Sequence, residues 1–436
     1  MFSKKGFKGG VAVPHKKNTT SCETVKMSLP EKVAIPMVQH IGAPCEPIVK
    51  KGDYVKVGQI IGSSDAFVSS PVHSSVSGTV TDIASRLGAG GARVTTIEIK
   101  TDGEQVIHED IKPPHYSDYK EFLGIIRKSG LVGLGGAGFP AHVKLSPPPD
   151  KVIDTLIING AECEPFITAD YREIVENSWN IMCGIEILLG LMSFKNVYIG
   201  IEDNKPDAIK IMNDMADNHK NINVVKLMSR FPQGAEKMLI YTVTGRKVPS
   251  GKLPADVGVI VMNVNSVSFI AEHIKTGMPL IKKKVTVDGS AVKKPANLEI
   301  LIGTPLEDVF NFCGGFKSEP KKILMGGPMM GIAQYSLQTP VLKHTNALLA
   351  FDGKDAAQPA ETACIRCGKC VEACPMNLIP LSLNQNSIIR NIDALNKYHV
   401  ADCVECGSCS YVCPAKRHLV QSIRLGKALL RQTGTK

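Results

Sequence analysis

Two runs of cysteines dominate the C-terminal part of the chain. Cys364, Cys367, Cys370 and Cys374 precede Pro375, and Cys403, Cys406, Cys409 and Cys413 precede Pro414. Each run reads CxxCxxCxxxCP, and the second repeats the first at a constant offset, which marks an internal duplication. Three thiolates at i, i+3 and i+6 can face one iron–sulfur cube if the backbone curls around it. The fourth, followed by proline, points away and ligates the other cube. The spacing therefore predicts one [4Fe–4S] cluster on Cys364, Cys367, Cys370 and Cys413, and a second on Cys374, Cys403, Cys406 and Cys409. Structural zinc is the competing use of CxxC pairs. It asks for four tetrahedral ligands and gains nothing from a third cysteine three residues later or from a terminal Cys-Pro.

A second group of residues able to bind a ligand lies far upstream. In GLVGLGGAGFPAHVKL, residues 130–145, Gly133, Gly135 and Gly138 satisfy GxGxxG. The dinucleotide fingerprint requires a strand before those glycines and a helix after them. Here a helical stretch, Tyr119–Lys128, precedes and Phe139-Pro140 follows, so the ordinary Rossmann reading fails. What remains is a glycine loop able to bring backbone N–H groups against a phosphate, with Lys144 as a nearby cation. A surface turn is the competing reading. Downstream, Asn159-Gly160-Ala161-Glu162-Cys163-Glu164-Pro165 offers an amide and two carboxylates to ribose hydroxyls or a flavin edge, with Asp170 and Arg172 beyond. Phe231-Pro232-Gln233-Gly234-Ala235-Glu236-Lys237 opens a helix. Asn263-Val264-Asn265 ends an apolar strand, and its alternating amides would project to one side toward a heteroaromatic ring.

The elements that must position these groups follow from periodicity. Residues 152–158, 197–201 and Ile222–Leu227 read as strands, and residues 173–191 and 207–217 as helices. The succession is βαβαβ with a parallel sheet, whose ligands gather at the carboxyl ends of the strands. Residues 259–262 add an apolar strand. TVDGSAV signals a hairpin within a β-rich stretch, residues 285–315, that includes a short helix, Leu306–Phe312. The methionines of KKILMGGPMMG read as core filling. DGKDAAQPAE, residues 352–361, is a polar linker. Between the cysteine runs, Leu378, Ile379, Leu383, Ile388, Ile392 and Leu395 recur at three- and four-residue steps and predict helices around the clusters.

With 436 residues, 43% of them hydrophobic, the chain can bury several cores, and its length suggests about three domains. No apolar run approaches the ~18 residues of a membrane span, and the N-terminus is basic and glycine-rich without an apolar core behind it. The expectation is a soluble or peripheral protein that is not secreted. The remaining cysteines, Cys22, Cys45, Cys163, Cys183 and Cys313, show no disulfide framework, as suits a reducing cytosol. The formal charge of +10 is offset in part by clusters that with their thiolates carry roughly −2 each. With 5% aromatics and no nucleic-acid module, no nucleic-acid partner is expected. Basic residues gather instead at the ends: Lys4, Lys5, Lys8, Lys16 and Lys17 at one, Lys416, Arg417, Arg424, Lys427 and Arg431 at the other. The second set alternates with Leu419, Ile423 and Leu430 as an amphipathic helix. Its basic face suits an anionic membrane or an acidic partner, but a solvated helix is the better reading.

Residues 30–112 carry VKKGDYVKVGQIIG followed by SSPVHSSVSGTV, and resemble the barrel-sandwich hybrid of biotinyl and lipoyl carrier domains. No lysine occurs between Lys56 and Lys100, so a swinging arm is absent and the module reads as a scaffold. The cysteine region is similar to the α-helical ferredoxin type. The order of barrel-sandwich module, glycine loop, NGAECEP, QGAEK, NVNS, β-grasp-like hairpin and double cysteine run resembles, over essentially the whole chain, the C subunits of Rnf electron-transport complexes. Its central half resembles the NADH-oxidising flavoprotein subunit of respiratory complex I.

The resemblance implies a multidomain α/β protein: an N-terminal extension (1–29), a barrel-sandwich hybrid (30–112), a Rossmann-like FMN/NAD(H) domain with a parallel sheet (113–280), a β-grasp-like SLBB domain (281–351) and an α-helical ferredoxin domain (352–436). It implies non-covalent FMN and NAD(H) at Gly133, Gly135, Gly136, Gly138, Phe139, Lys144, Asn159, Glu162, Glu164, Gln233, Glu236, Asn263 and Asn265. Leu134 and Ala161 depart from the complex I pattern, which has an arginine and an aspartate there. It further implies membrane and iron–sulfur partner subunits that carry the ion path, ferredoxin as an indirect partner, and a peripheral position on the cytoplasmic face of the cell membrane. A related flavin- and cluster-bearing cobalamin reductase and a passive electron-transfer adaptor without nucleotide are the alternatives. Chemistry supports the first assembly independently: nicotinamide exchanges two electrons as hydride, a [4Fe–4S] cluster passes one, and a flavin connects the two.

Overall fold

Alternation of apolar and polar residues in the strands after Leu29 produces an inward and an outward face. In the computed structural model, which describes residues 6–433, Lys32–Pro36 pairs antiparallel with Arg93–Thr101, placing Val33 opposite Ile99 and Ile35 opposite Ile97, all fully buried. Gly78–Leu87 and Tyr54–Val55 complete this sheet, and Glu46–Pro47, Ile60–Ser63 and Val72–His73 form a second, facing one. The segment where a carrier domain would present its lysine is docked instead. Ser75 Oγ donates to Ile302 O at 2.6 Å, and the buried Lys343 Nζ donates to Pro71 O and Gly130 O at 2.7 Å each. A swinging role is thereby closed off.

The parallel sheet runs in the order Ile222–Leu227, Asn196–Glu202, Thr155–Gly160, Val259–Asn263. Its first strand begins later than the periodicity of residues 152–158 indicates, because Val152 is solvent-exposed and Leu156 to Ile158 carry the burial. The following helix, Ala169–Leu191, begins ahead of the expected position and packs on Val264–Thr276. The main core lies between these helices and the sheet, with Leu156, Ile158, Ile199, Ile201, Ile260 and Met262 among its members.

A six-stranded mixed sheet follows, in the order Thr24–Lys26, Ala296–Leu301, Lys282–Asp288, Ala347–Phe351, Lys322–Met325, Ile332–Ala333. The TVDGSAV turn makes the hairpin between Lys282–Asp288 and Ala296–Leu301. One edge strand comes from the N-terminal extension: Thr24–Lys26 pairs parallel with residues 297–299. The helices Pro380–Ile388, Ile392–Lys397 and Leu419–Gln432 wrap the cysteine runs. Leu378, Leu383 and Leu395 are buried, as their spacing requires, whereas Ile379 and Ile388 are exposed and belong to the outer face. The terminal helix buries Leu419, Ile423 and Leu430. Its cations are largely spent inside the domain: Arg424 Nε and Lys427 Nζ bind Glu405 at 2.9 and 2.5 Å, and Arg417 lies 3.7 Å from Glu361. Lys4 and Lys5 lie outside the described residues.

Candidate functional site

The strand order places two predicted asparagines side by side. Thr155–Gly160 and Val259–Asn263 run parallel with Asn263 opposite Asn159, at adjacent carboxyl ends. Asn159 Oδ1 accepts from Ala161 N at 3.0 Å and its Nδ2 donates to Gly234 O at 2.9 Å, so residues 233–236 are stitched to the NGAECEP turn. A Cβ on Gly234 would lie 2.3 Å from Ala161 O, an approach open only to glycine. Asn263 caps its helix by accepting from Asn265 N at 2.9 Å. Both asparagine side chains do point to one side, but a carboxylate meets them there: their Nδ2 groups donate to Asp170 at 2.7 and 2.6 Å. Asp170 N in turn donates to Glu162 Oε1 at 2.7 Å.

The glycine loop folds against this network. Gly133 N donates to Phe139 O at 2.8 Å and Leu134 N to Ser266 Oγ at 3.1 Å, which closes the loop at its base. Its tip, Gly135, Gly136 and Ala137, is exposed. A Cβ on Gly135 would lie 2.4 Å from Asn263 Nδ2, and Gly138, with φ of +67°, sits beside His344 and Gln39 O. Leu134 and Ala161 are both buried in apolar cores. At these positions the chain uses an anchor where complex I has an ionic group. Lys144 and Glu236 pair with each other at 2.7 Å, and Lys144 Nζ also donates to Val261 O at 2.9 Å.

Glu164 faces another way. Its carboxylate accepts from Met329 N and Met330 N at 3.0 and 2.8 Å, so it ties the turn to the GGPMMG loop rather than to the strand ends. Burial pushes the carboxyl groups of Glu162 and Glu164 up to about 7. For Glu162, Lys17 opposes that shift. Glu162 Oε2 is buried without a hydrogen-bond partner, with Lys17 Nζ 3.7 Å away.

Lys283 and His344 escape sequence reasoning. Lys283 is buried and its Nζ has no hydrogen-bond partner, and His344 Nδ1 is likewise unpartnered; so is Nε2 of Gln233, which the sequence singles out. Burial lowers both Lys283 and His344. The charges of Asp170 and Glu173 oppose the shift at Lys283, and the charge of Lys283 adds to the shift at His344. A buried ammonium without a hydrogen-bond partner is costly, and here the attraction of Asp170 and Glu173 offsets part of that cost. Orphan donors and an exposed glycine tip beside two strand ends fit a phosphate- and hydroxyl-bearing group such as FMN. The available signal for Lys283 was its parity: it shares the strand face of the buried Val285 and Val287.

The eight thiols divide between two cavities. Cys374, Cys403, Cys406 and Cys409 line one with an empty volume of about 340 Å³, beside Leu378, Leu383, Val420 and Ile423. Cys364, Cys367, Cys370 and Cys413 line another, larger one of about 820 Å³, with Ile365, Arg366 and Arg417 at its wall. Each run thus contributes its first three thiols to one cavity and its fourth to the other. Four thiols around each cavity are the donor set that a [4Fe–4S] cluster takes. The two sets differ in exposure. Cys374, Cys406 and Cys409 are buried, whereas Cys364 and Cys367 are exposed. Cys406 packs with Phe231, Val11, Cys163 and Met329, beside the NGAECEP turn.

Four family models match in succession: an RnfC barrel sandwich hybrid domain over residues 5–104, a Nuo51 FMN-binding domain over 126–272, an SLBB domain over 284–333 and a 4Fe-4S dicluster domain over 363–416. The multidomain α/β architecture and its two kinds of cofactor, FMN and paired [4Fe–4S] clusters, agree with the reading from residues. The C subunit of the proton-translocating ferredoxin:NAD+ oxidoreductase complex of Clostridium ljungdahlii is 47% identical, with 99% of this chain and 95% of that one covered. The C subunit of the Na+-translocating complex of Acetobacterium woodii is 46% identical, with 97% and 96% covered. That of the ion-translocating oxidoreductase complex of Rhodobacter capsulatus is 40% identical, with 95% and 81% covered. Among solved structures, an NAD+-reducing [NiFe]-hydrogenase in its H2-reduced state shares the fold, with a TM-score of 0.50 and 16% identity over 73% of this chain and 62% of that one. Near-full-length identity, the matched domains and the two four-thiol cavities together make this chain a member of the family of C subunits of Rnf-type ion-translocating ferredoxin:NAD+ oxidoreductase complexes.

Proposed function

We propose that the chain is the NAD(H)-facing subunit of a membrane-bound ferredoxin:NAD+ oxidoreductase, holding FMN at the glycine loop and two [4Fe–4S] clusters on the crosswise cysteine sets. The observation that carries the reading is the convergence at two adjacent strand ends: the glycine loop rests on Asn263, Asn159 is stitched to Gly234, and Asp170 links Asn263 and Asn265 to Glu162. FMN, when bound, supplies the exchange between hydride and single-electron transfer. The chain's own residues bind and orient. Gly135, Gly136 and Ala137 present open backbone, Lys283 and His344 offer donors to a phosphate, and Asp170 holds the two amides in place. No side chain is needed as a general acid or base.

Exposure orders the two cysteine sets. The buried set lies beside the turn and the exposed set opens to solvent, so the inner set would hold the cluster nearer a flavin and the outer set the cluster presented to an iron–sulfur partner subunit. No helix among the described residues is long and apolar enough to cross a membrane, so the ion path belongs to partner subunits, and the chain sits peripherally on the cytoplasmic face. Anaerobic purification tests the proposal. About one FMN and about eight irons per chain, with flavin absorbance bleached by NADH, is the expected result. Iron without flavin, and no response to NADH, would make the chain a passive adaptor. Reduction of corrinoid by the isolated chain would move it to the cobalamin reductases.

A further inference from the structure

Residues 7–26 form a strap that touches, in sequence order, the inner thiol set, the 231–236 loop, the NGAECEP turn and the six-stranded sheet. Gly10 N donates to Ala373 O at 2.9 Å, and a Cβ on Gly9 would lie 2.6 Å from Cys374 O. Both glycines have positive φ, +74° and +73°, which permits this contact with a predicted cluster ligand. Val11 and Phe231 then exchange backbone hydrogen bonds at 2.8 and 3.0 Å. Phe166 N donates to His15 O at 3.0 Å, and the strap ends as the edge strand Thr24–Lys26.

Its central contact is Lys17. The Nζ donates to the carbonyls of Glu162 at 2.8 Å, Glu164 at 2.9 Å and Ile167 at 2.5 Å, and lies 3.7 Å from Glu162 Oε2. An ammonium has three protons and no acceptor capacity, so three carbonyls of one turn use it completely. Those carbonyls are what an irregular turn leaves over when its backbone pairs with no strand. The side chain is largely buried, at 12% exposure, so water does not replace it.

We infer that this strap is a positioning element of the flavin site, and that Lys17 is the residue through which it holds the Glu162–Ile167 turn in place beside both the flavin and the inner cysteine set. Lys17 touches no reacting atom. It acts through the turn, whose Glu162 side chain orders Asp170 and, through it, Asn263 and Asn265. The inference rests on the flavin reading above.

The test uses the full chain with Lys17→Met, which keeps length and loses the charge, and Lys17→Arg, which keeps the charge but not the tripod of donors. FMN affinity of flavin-stripped protein, amide hydrogen exchange over residues 159–168, and iron content are measured together. Lys17→Met is expected to weaken FMN binding by about tenfold or more and to raise exchange in the turn, with Lys17→Arg between it and the parent and iron content unchanged in both. Parental affinity and parental exchange in Lys17→Met would overturn the inference while leaving the flavin reading intact. Failure of the parent itself to bind FMN would overturn both. Loss of iron and of cooperative unfolding in both variants would make Lys17 a general folding residue and would also overturn it.

Discussion

At the scale of single residues, the site is a set of buried polar groups that satisfy one another, plus a few that do not. Glu162 illustrates the first kind. Its carboxyl titrates near 7 in the fold, above the ordinary 4.5, because burial outweighs the attraction of Lys17. A raised folded-state value contributes stability below the unfolded value and loses it as pH rises through the folded one. Stability from this group therefore falls between about pH 4.5 and 7. Glu162→Gln should flatten that part of the profile in urea unfolding curves at pH 5 and pH 8, and an unchanged slope would refute the assignment. Lys283 illustrates the second kind. With no hydrogen bond to lose, Lys283→Met should weaken FMN binding by about tenfold, measured by flavin fluorescence. The flavin-free protein should keep a similar urea midpoint, since the desolvation cost of the buried ammonium opposes its attraction to Asp170 and Glu173. That Asn159 and Asn263 stand at strand ends beside a polar turn carrying Glu162 was legible from residue types and strand periodicity. That Asp170 would occupy both asparagine amides was not, because the contact joins residues more than ninety positions apart.

At the scale of elements, positions follow from close approaches that small residues allow. The helix Ala169–Leu191 carries Asp170 in its first turn and crosses Val264–Thr276, which carries Asn265. At the crossing, a Cβ on Gly184 would lie 2.1 Å from Val267 O. Gly184→Val must push the two helices apart, at a cost of about 1–3 kcal/mol. Thermal unfolding of the variant should show it, with a weaker FMN affinity as the Asp170–Asn265 contact lengthens. Periodicity found the first of these helices and all four parallel strands, since a stripe of buried residues at regular steps is a local property, but it did not find Val264–Thr276. It misplaced the start of Thr155–Gly160 because an apolar residue outside the sheet, Val152, looks the same in sequence as one inside it.

At the scale of the whole molecule, the four-thiol sets are crosswise, and that property belongs to no single run. If each fourth cysteine serves the other cluster, Cys374→Ala should remove about half of the iron and expose Cys403, Cys406 and Cys409 to alkylation, leaving Cys364, Cys367 and Cys370 protected. Cys413→Ala should do the converse. Peptide mapping after iodoacetamide separates this from local ligation, in which each substitution would unprotect its own run. The barrel-sandwich module, the six-stranded sheet and the N-terminal strap all border the same turn or loop. The proposed flavin site therefore draws on the barrel-sandwich module, the six-stranded sheet and the strap, although only the central sheet supplies its strand ends.

What the sequence by itself determined is the chemistry that depends on residue type at fixed short spacing. The double CxxCxxCxxxCP, the glycine loop and the βαβαβ order are all of this kind, because three to seven residues of backbone constrain which atoms can converge. Which distant polar groups meet, and which stay unpaired, was settled by the tertiary structure alone. Lys17, Lys283 and His344 reach the site from the N-terminal extension, from the six-stranded sheet and from the segment before its strand Ala347–Phe351. Burial and hydrogen-bond partners are properties of neighbours in space. No spacing along the chain reveals that an ammonium from residue 17 ends on the carbonyls of residues 162, 164 and 167.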